Sequence, residues 1–414
     1  MRGEYSDLHG FDQDGAFTLH HPREMTTGMQ DNVTIEVVES SRGRAARAFI
    51  DFPHRLYRGS TQWVPQFRHD IRVMLARRHP FFDRGRAQFF VALRGDRPVG
   101  TICAIENVAY NEFHKSKRGH FHFFDCIDDR EVSHSLFEAA FAWLRGRGME
   151  EVVGPFGIGF MGMGALVDGF EHRAVMTMMG YNFPWYGPAI EAEGFTKHAD
   201  QLSMFIDAKS FRLPDKIRRV AEIAMKRGHF EVPEFRSKRD LVRRAQDIGR
   251  VYNESFQSHG DEYSPFSERE IRQITSDLVT VADPSLIKLL LCNGEIAGFL
   301  FGFPDLSAAL QRSRGRITPW SIADLLLEYG RTRWLIVNGA GILPRYQRLG
   351  GNALLYSMLE KIASRRRFLY VDAVQIAEST ELMRADLKTL GGRVYKIHRL
   401  YYRSIDNLPA HGQQ

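Results

Sequence analysis

Hydrophobic positions recur along this chain at two spacings. Short apolar runs, several of them alternating with polar residues, are typical of β-strands, whereas apolar residues three and four positions apart are typical of one helix face. In the first half these patterns predict strands at residues 33–38, 88–93, 98–105, 120–126, 151–154 and 202–206, and helices at residues 42–58, through Ile71 and Leu75, and from Val132 to Trp143.

The second half repeats the same order of elements, which is the signature of an internal duplication. Its predicted strands are residues 229–235, 286–291, 296–303, 334–337, 368–374 and 394–402, and its predicted helices are residues 240–256, 267–279, 355–362 and 380–390. Strands that alternate with both helices and hairpins predict an α/β fold in which one sheet mixes parallel and antiparallel strands (an α+β mixed sheet).

The repeat predicts two tandem domains. Residues 1–31 are polar and have no periodic pattern, so we expect a disordered N-terminal segment. Residues 32–209 then form the N-terminal domain, residues 210–215 the linker, and residues 216–414 the C-terminal domain. Two segments interrupt the repeat: a Gly- and Met-rich stretch at residues 154–186, which has neither period, and a basic insertion at residues 304–332. Methionines give adaptable apolar surface suited to an alkyl chain, although they also fill gaps in ordinary cores.

Composition narrows the class of protein. The net charge of +6 suits an anionic ligand or membrane surface, and there is no Lys/Arg block of the kind that binds nucleic acid. Cys103, Cys126 and Cys292 are far apart without a CxxC motif, which predicts no disulfide framework and a reducing, cytoplasmic location. No apolar run reaches the roughly 20 residues of a membrane helix, so any contact with the inner membrane should be peripheral.

The strongest chemical signal is a strand, a glycine-bearing loop and a helix between residues 334 and 362. The first turn of a helix carries backbone N–H groups without intrahelical partners, and glycines allow a pyrophosphate to approach them closely. Neither the P-loop pattern GxxxxGK[ST] nor the dinucleotide pattern GxGxxG occurs here, which argues against nucleotide triphosphate or dinucleotide binding. The layout therefore predicts an anion-binding turn that is neither a P-loop nor a dinucleotide site.

This stretch resembles the acyl-CoA loop of the GNAT superfamily of N-acyltransferases, [Q/R]xxGx[G/A] after the fourth strand. Two registers fit, one from Gln347 through Gly350 and one from Arg348 through Gly351, and the position of Pro344 favours the first, which ends in Asn352 instead of Gly or Ala. The resemblance implies that acyl-CoA, or an acyl-carrier-protein thioester, is a co-substrate and that no cofactor or metal is permanently bound. The implied thioester-binding residues are Ile342, Leu343, Gln347, Arg348, Gly350, Gly351, Asn352 and Ala353.

The corresponding turn in the first half has lost this chemistry. It reads Ile127-Asp128-Asp129-Arg130, without glycine and with two carboxylates where a pyrophosphate would need donors. Repulsion between like charges disfavours CoA there, so we expect the first GNAT-like domain to be degenerate.

Further motifs resemble a group of bacterial two-domain proteins that includes bacterial ceramide synthases. They are Gly154-Pro155, Leu166-Val167-Asp168-Gly169-Phe170, Tyr181-Asn182, Leu390-Gly391-Gly392, Tyr395-Lys396 and Tyr401. This likeness implies acylation of the primary amine of a sphingoid-type base, and hence sphingolipid biosynthesis. Two alternatives stay open: a small-molecule N-acetyltransferase of the tandem-GNAT type, and a non-catalytic acyl-CoA-binding protein.

Acyl transfer to an amine needs a proton acceptor, an oxyanion donor and a route for the leaving thiolate. We name Glu378 and His398 as candidate bases, although a carboxylate at a helix start and a buried strand histidine would look the same. The oxyanion donor would be a backbone N–H of residues 337–341. The superfamily's usual acid, a Tyr, is replaced here by Leu387, so Tyr395, or else Tyr401 or Tyr402, is the predicted substitute.

The first half supplies the candidate residues for the acceptor. Asp168, Tyr181, Asn182 and Tyr186 are predicted to hold the amine and its neighbours. His120 and His122 fall on one face of a strand near Asp125, an arrangement that could ligate a metal, but no further ligand has diagnostic spacing and we predict none.

Overall fold

The computed structural model describes residues 32–158, 162–176, 178–209, 211–227, 230–244, 247–249, 251, 254, 264–281, 283–365 and 368–405. The predicted disordered segment, residues 1–31, lies outside these described residues. Within the described chain, no helix is both long and apolar enough to cross a bilayer.

The first half follows the predicted order of strands and helices. Its strands are β1 (Val33–Val37), β2 (Gly85–Arg94), β3 (Arg97–Asn107), β4 (Arg118–Cys126), β5 (Glu151–Gly154), β6 (Ala165–Asp168) and β7 (Thr196–Asp207). Its helices are α1 (Arg44–Leu56), α2 (Arg68–Leu75), α3 (Val108–His114), α4 (Arg130–Arg145) and α5 (Tyr186–Ala192). Helix α4 begins at Arg130, because the Asp129 carboxylate accepts hydrogen bonds from the amides of Glu131 and Val132.

The second half contains β8 (Phe230–Glu231), β9 (Ile287–Cys292), β10 (Glu295–Pro304), β11 (Trp334–Ile342), β12 (Tyr370–Ala377) and β13 (Arg393–Ser404). Its helices are α6 (Asp215–Lys226), α7 (Lys238–Arg243), α8 (Glu268–Val281), α9 (Ser307–Ser313), α10 (Pro319–Arg331), α11 (Gly351–Arg365) and α12 (Glu381–Thr389).

All thirteen described strands join one mixed sheet in which the halves exchange strands. The order is β1-β2-β3-β4-β5-β13-β7-β12-β11-β10-β9-β8, with β6 also paired to β13. The last strand, β13, therefore lies between β5 and β7 of the first half, while β7 pairs with β12 of the second. Each half is completed by a strand of the other, and the predicted boundary at residues 210–215 remains a prediction.

Among the described residues, four apolar clusters fill the space between the sheet and its helices. One packs α4 on β2–β4 around Phe121, Phe137 and Phe141, and another packs α11 on the second half's strands around Leu335, Leu355 and Leu359. A third lies under α1 and α2 around Phe49 and Phe89. The fourth joins the halves, because Val175 and Met179 of the first half are buried against Phe299 and Phe301 of the second.

Several predicted elements differ from the structure. Of the strand expected at residues 229–235, the described residues contain only the two-residue β8. The Gly/Met-rich segment contains the strand β6, which pairs antiparallel with β13. The basic insertion is largely helical, because Thr318 and Ser321 form a capping box that starts α10. Helices α3, α5 and α6 were not predicted from the periodic pattern.

Candidate active site

The loop that joins β11 to α11 carries the predicted thioester-binding residues. Arg348 and Gly350 adopt left-handed backbone conformations, with φ of 64° and 89°. A Cβ atom at Gly350 would lie 3.0 Å from Cβ of Ala224 on α6, so this position needs glycine for both its conformation and its space. Gln347, Arg348 and Asn352 are exposed to solvent, whereas Ala353 is buried against the core.

The amides at the start of α11 are available to a ligand. The helix's first backbone bond runs from the amide of Leu354 to the carbonyl of Gly350, so the preceding amides have no intrahelical acceptor. Across the described chain, no side chain accepts a hydrogen bond from the amides of residues 348–353. Ile342 and Leu343, the other predicted contacts, are buried at the end of β11 and anchor the loop. The second half thus presents a turn whose amides have no side-chain acceptor among the described residues.

Next to this loop, β11 and β12 separate. They pair in parallel only from Trp334 to Val337 on β11 and from Tyr370 to Ala373 on β12. Beyond these residues β11 continues with β10 and β12 continues with β7, which leaves an opening between them. Backbone irregularities mark both sides, because Gly339 has φ of 106° and Gln375 has φ of 56°. Amides on the open edge of β11 are placed to donate to a ligand lodged in this opening.

A loop from the first half crosses the opening. The Asn338 side-chain amide lies 3.1 Å from Sδ of Met178, and the Gln375 side-chain amide donates to the Met178 carbonyl at 3.1 Å. One side chain comes from β11 and the other from β12, so Met178 spans the gap between the strands. Sequence reasoning found the methionines of this segment but not their position across the second half.

The equivalent turn of the first half is capped by one of its own carboxylates. The Asp129 carboxylate occupies the amides at the start of α4, and Arg94 donates to both Asp129 (2.9 Å) and Glu131 (2.8 Å). A pyrophosphate would have to displace these bonds and face two carboxylates.

The predicted base Glu378 lies at the carboxyl end of β12 in an ion pair. Its carboxylate accepts from Nζ of Lys197 at 2.7 Å and from the amide of Asp200 at 3.0 Å. The Asp200 carboxylate in turn accepts two bonds from Arg399. Glu378 therefore ties β12 to β7, and its role as a base remains a prediction.

Tyr395, the predicted acid, belongs to a buried charged cluster. Its hydroxyl donates to the Asp372 carboxylate, which also accepts from Nζ of Lys396 at 3.4 Å. Asp372 and Lys396 are each 1% exposed, and burial raises the pKa of Asp372 despite the neighbouring ammonium. Burial together with the Asp372 carboxylate also raises the pKa of the Tyr395 phenol. The superfamily's usual acid position, Leu387, is buried in the core and has no proton to donate.

His398 is enclosed at the junction of the halves. Its Nε2 lies 2.8 Å from the carbonyl of Gly180, an acceptor, so this nitrogen carries the proton. Nδ1 is buried without a partner among the described residues, and burial lowers the pKa of the imidazole to about 3. His398 is thus neutral and a weak proton acceptor. Its hydrogen bond to Gly180 holds the loop that carries Met178.

The four predicted acceptor residues divide into two sets. Tyr181, Asn182 and Tyr186 line a cavity of about 150 Å³ in the first half, where β4 and β5 have parted after His120 and Val153. The Asn182 side chain is already used, because it bonds both the amide and the carbonyl of Leu166. Asp168 is exposed and accepts only from the adjacent amide of Gly169 among the hydrogen bonds of the described chain; it does not line this cavity.

Asp125 is the main group in this cavity that sequence reasoning did not assign to the acceptor. Its Oδ1 accepts from the hydroxyls of Tyr57 (2.7 Å) and Tyr186 (3.0 Å), and burial raises the pKa of its carboxyl to about 6. His122 lines the same cavity, whereas His120 packs against Tyr110 and Phe156. No group of three or more His, Cys, Asp or Glu side chains in the described residues could hold a metal. The sequence signal that could have identified Asp125 is a carboxylate within the aromatic run of β4.

The chain is similar in sequence to known bacterial proteins over most of its length. No protein-family model matches it. It is 27% identical over 366 residues to Protein YghO of Escherichia coli, covering 87% of this chain and 93% of that protein. It is also 27% identical over 386 residues to a bacterial ceramide synthase of Caulobacter vibrioides, covering 90% of this chain and 98% of that protein.

Solved structures with the same architecture are more distant in sequence. A tandem GNAT protein from the clavulanic acid biosynthesis pathway superposes with a TM-score of 0.54 at 10% identity, covering 91% of this chain and all of that one. A GCN5-related glucosamine N-acetyltransferase region of a fungal multi-domain protein gives 0.56 at 11% identity, covering 90% of this chain and 38% of that one. These likenesses confirm the predicted resemblance: the chain has the tandem GNAT fold, and over most of its length it is similar to a bacterial ceramide synthase.

Proposed function

We propose that this protein is an acyl-CoA-dependent N-acyltransferase that acylates the primary amine of a long-chain, sphingoid-type base. The observation that carries the proposal is the open turn at residues 347–353, whose helix-start amides have no acceptor among the described side chains and whose Gly350 must be glycine. We expect the pantetheine arm and thioester to lie in the opening between β11 and β12 beside that turn. The similarity to a protein named bacterial ceramide synthase supports the lipid amine as acceptor.

The chain's own groups suggest how transfer proceeds. The helix-start amides of α11 and the exposed Arg348 would bind the diphosphate. Backbone N–H groups on the open edge of β11, from Asn338 to Gly341, would donate to the thioester oxygen as it becomes an oxyanion. The amine, once deprotonated, attacks the thioester carbon, an amide bond forms, and the thiolate leaves and takes up a proton. No covalent intermediate on the enzyme is needed, which agrees with three buried cysteines.

Substitutions in the turn test donor binding. Gln347→Glu and Gly350→Glu place carboxylates against the diphosphate, and Gly350→Glu also puts a side chain where φ is 89°. Each should abolish the stabilisation by palmitoyl-CoA in a thermal-shift titration. Gly148→Glu is the matched control: Gly148 has φ of 76° in an exposed turn of the first half, and a Cβ atom added there would meet nothing within 4 Å. Absence of stabilisation of the unaltered protein by any acyl-CoA would contradict the proposal.

Chain-length dependence separates the proposal from the alternatives. We expect amide product, measured by mass spectrometry, from palmitoyl-CoA with sphinganine and little from acetyl-CoA with small polar amines. The tandem GNAT architecture shared with the clavulanic acid pathway protein keeps a small-molecule acetyltransferase as the second candidate, and a preference for acetyl-CoA would favour it. Binding of acyl-CoA without any product would favour a non-catalytic role.

A lipid acceptor would require contact with a membrane, and α10 provides a suitable surface. Trp320, Leu326 and Leu327 are 85%, 69% and 52% exposed on this one helix. The helix's two acidic side chains, Asp324 and Glu328, both bind Arg312. Exposed Arg314, Arg316 and Arg331 lie at its ends. We therefore propose that α10 rests on an anionic phospholipid surface, with its apolar face among the acyl chains.

Vesicle sedimentation tests this contact. The protein should sediment with phosphatidylglycerol vesicles more than with phosphatidylcholine vesicles, and the double variant Trp320→Ser/Leu326→Ser should lose this binding. Leu382→Ser on α12, where the leucine is 83% exposed, is the matched control and should bind like the unaltered protein. Equal loss in both variants, or no binding of the unaltered protein, would overturn the proposed contact.

A further inference from the structure

The first half contains a cavity that the proposed thioester site does not use. It lies where β4 and β5 part, the place that corresponds to the β11–β12 opening in the second half. The closed turn at Asp129 removes the diphosphate cradle on this side. The walls are mostly aromatic and aliphatic: Phe49, Ile50, Val64, Ile71, Phe124 and Tyr181. The cavity therefore suits a ligand that has an apolar part and no diphosphate.

The polar groups in the cavity define the rest of the ligand. Both hydroxyl donors to Asp125, from Tyr57 and Tyr186, reach the same oxygen, Oδ1. Its second oxygen accepts no hydrogen bond from the described protein groups, and none of their cationic side chains pairs with the carboxylate. Arg68, which also lines the cavity, is engaged in an ion pair with Asp51. Asp125 is thus an enclosed carboxylate with one oxygen left for a donor.

His122 adds a second incomplete group. It is 9% exposed, it lines the cavity, and neither ring nitrogen has a partner in the described part of the chain. A neutral imidazole offers one donor and one acceptor, so it complements a hydroxyl group. Buried polar atoms without partners are unfavourable in a folded protein, and such groups in a cavity point to a ligand that completes them.

We propose that this cavity binds the ammonium and hydroxyl groups of an alkyl amine, with Oδ2 of Asp125 accepting from the ammonium and His122 bonding the hydroxyl. An enclosed carboxylate without a protein cation favours a cationic ligand and disfavours an anionic one. Trp63, Tyr181 and Tyr186 line the same cavity and add aromatic faces that attract an ammonium. The identification of this amine as the acyl acceptor rests on the proposed function; the binding site itself does not.

Titration calorimetry on the full chain without acyl-CoA tests the site. Sphinganine, below its micelle-forming concentration, should bind, and an uncharged diol of the same chain length should bind at least tenfold more weakly. Asp125→Asn keeps the shape and removes the charge, so it should lower sphinganine affinity at least tenfold and leave the diol unchanged. Asp128→Asn, an exposed neighbour on the following turn, is the matched control and should bind like the unaltered protein.

A second measurement uses the unaltered protein and so does not depend on how a variant folds. A photoactivatable long-chain amine should label peptides from residues 49–71 and 162–186, and excess sphinganine should compete. Equal binding of amine and diol, unchanged affinity in Asp125→Asn, or labelling confined to residues 319–331 would each overturn the proposal.

The two proposals fail separately. Gly350→Glu should lose acyl-CoA stabilisation but keep amine binding, because its turn is not part of the cavity lining. If no acyl-CoA stabilises the unaltered protein while the amine still binds through Asp125, the proposed function fails and the amine site stands. If acyl-CoA binds and the amine does not, the amine site alone is refuted.

Discussion

At the residue scale, the half-buried Asp125 carboxylate carries a cost in stability that the proposed amine ligand would reduce. Hydrogen bonds from Tyr57 and Tyr186 favour its charged form, but burial outweighs them and raises the carboxyl pKa to about 6 from its usual 3.8. The charged form is therefore less favourable in the folded protein than in the unfolded chain. A cationic ligand would offset this cost, which is why the same group can destabilise the free protein and bind an amine.

The pH dependence of unfolding tests this account. Because the folded pKa is raised, the contribution of Asp125 to stability is fully present below about pH 4 and is lost as the pH rises through 6. Asp125→Asn should therefore raise the free energy of unfolding at pH 7 by about 2–3 kcal/mol, because the carboxyl pKa is about 6 in the folded protein and 3.8 in the unfolded chain, and by almost nothing at pH 3.5. Urea titrations at the two pH values measure it, with Asp128→Asn as control. A stabilisation equal at both pH values would contradict the account.

At the scale of elements, the segment from His172 to Asn182 ties the halves together. The Arg173 carbonyl accepts from Lys396 at 3.2 Å, and its guanidinium pairs with Asp305. The amide of Met176 donates to Ser307, and Gly180 is held by His398. Because these bonds reach β13, α9 and the end of β10, the segment that carries Met178 across the β11–β12 opening is anchored at several points.

Lys396 is the anchor whose loss should cost most. Lys396→Met leaves the Asp372 carboxylate buried with only the Tyr395 hydroxyl, so it should destabilise the protein by about 3–5 kcal/mol in urea unfolding. Lys396→Met/Asp372→Leu removes both charges and should recover much of that loss. Glu112→Gln breaks the exposed Arg84–Glu112 pair and should cost less than about 1 kcal/mol. A similar small cost for Lys396→Met would show that the buried pair is not an anchor.

At the scale of the whole molecule, the exchange of β13 and β7 makes the two halves interdependent. β13 pairs with β5, β6 and β7, and it fills a gap that would otherwise expose strand edges in the centre of the sheet. The apolar cluster of Val175 and Met179 against Phe299 and Phe301 adds buried contact between the halves. The two halves should therefore unfold together.

Truncation and fluorescence test this interdependence. A chain ending at Gly392 lacks β13 and should be insoluble or should lack near-ultraviolet circular dichroism. In the intact chain, single-tryptophan variants that retain either Trp143 of the first half or Trp334 of the second should report the same urea midpoint. Ending the chain at Ile405 keeps β13 and is the control. Separate midpoints, or a well-folded fragment of residues 32–209, would contradict the prediction.

The sequence by itself determined the local features, because these depend on neighbouring residues. Alternating and helical periods located most strands and helices, and the spacing from Pro344 to Gly350 indicated the glycine-bearing turn between β11 and α11. The two carboxylates Asp128 and Asp129 likewise argued against CoA at the corresponding turn of the first half.

Only the tertiary structure decided which distant residues meet. Exchange of β13 between the halves, the position of Met178 across the second half, and the enclosure of Asp125 by Tyr57 and Tyr186 all join residues far apart in the chain. No local spacing encodes them, because they arise from sheet order and burial. The same physics explains why Glu378, Tyr395 and His398, plausible from their chemistry, prove to be held in bonds that join strands and loops.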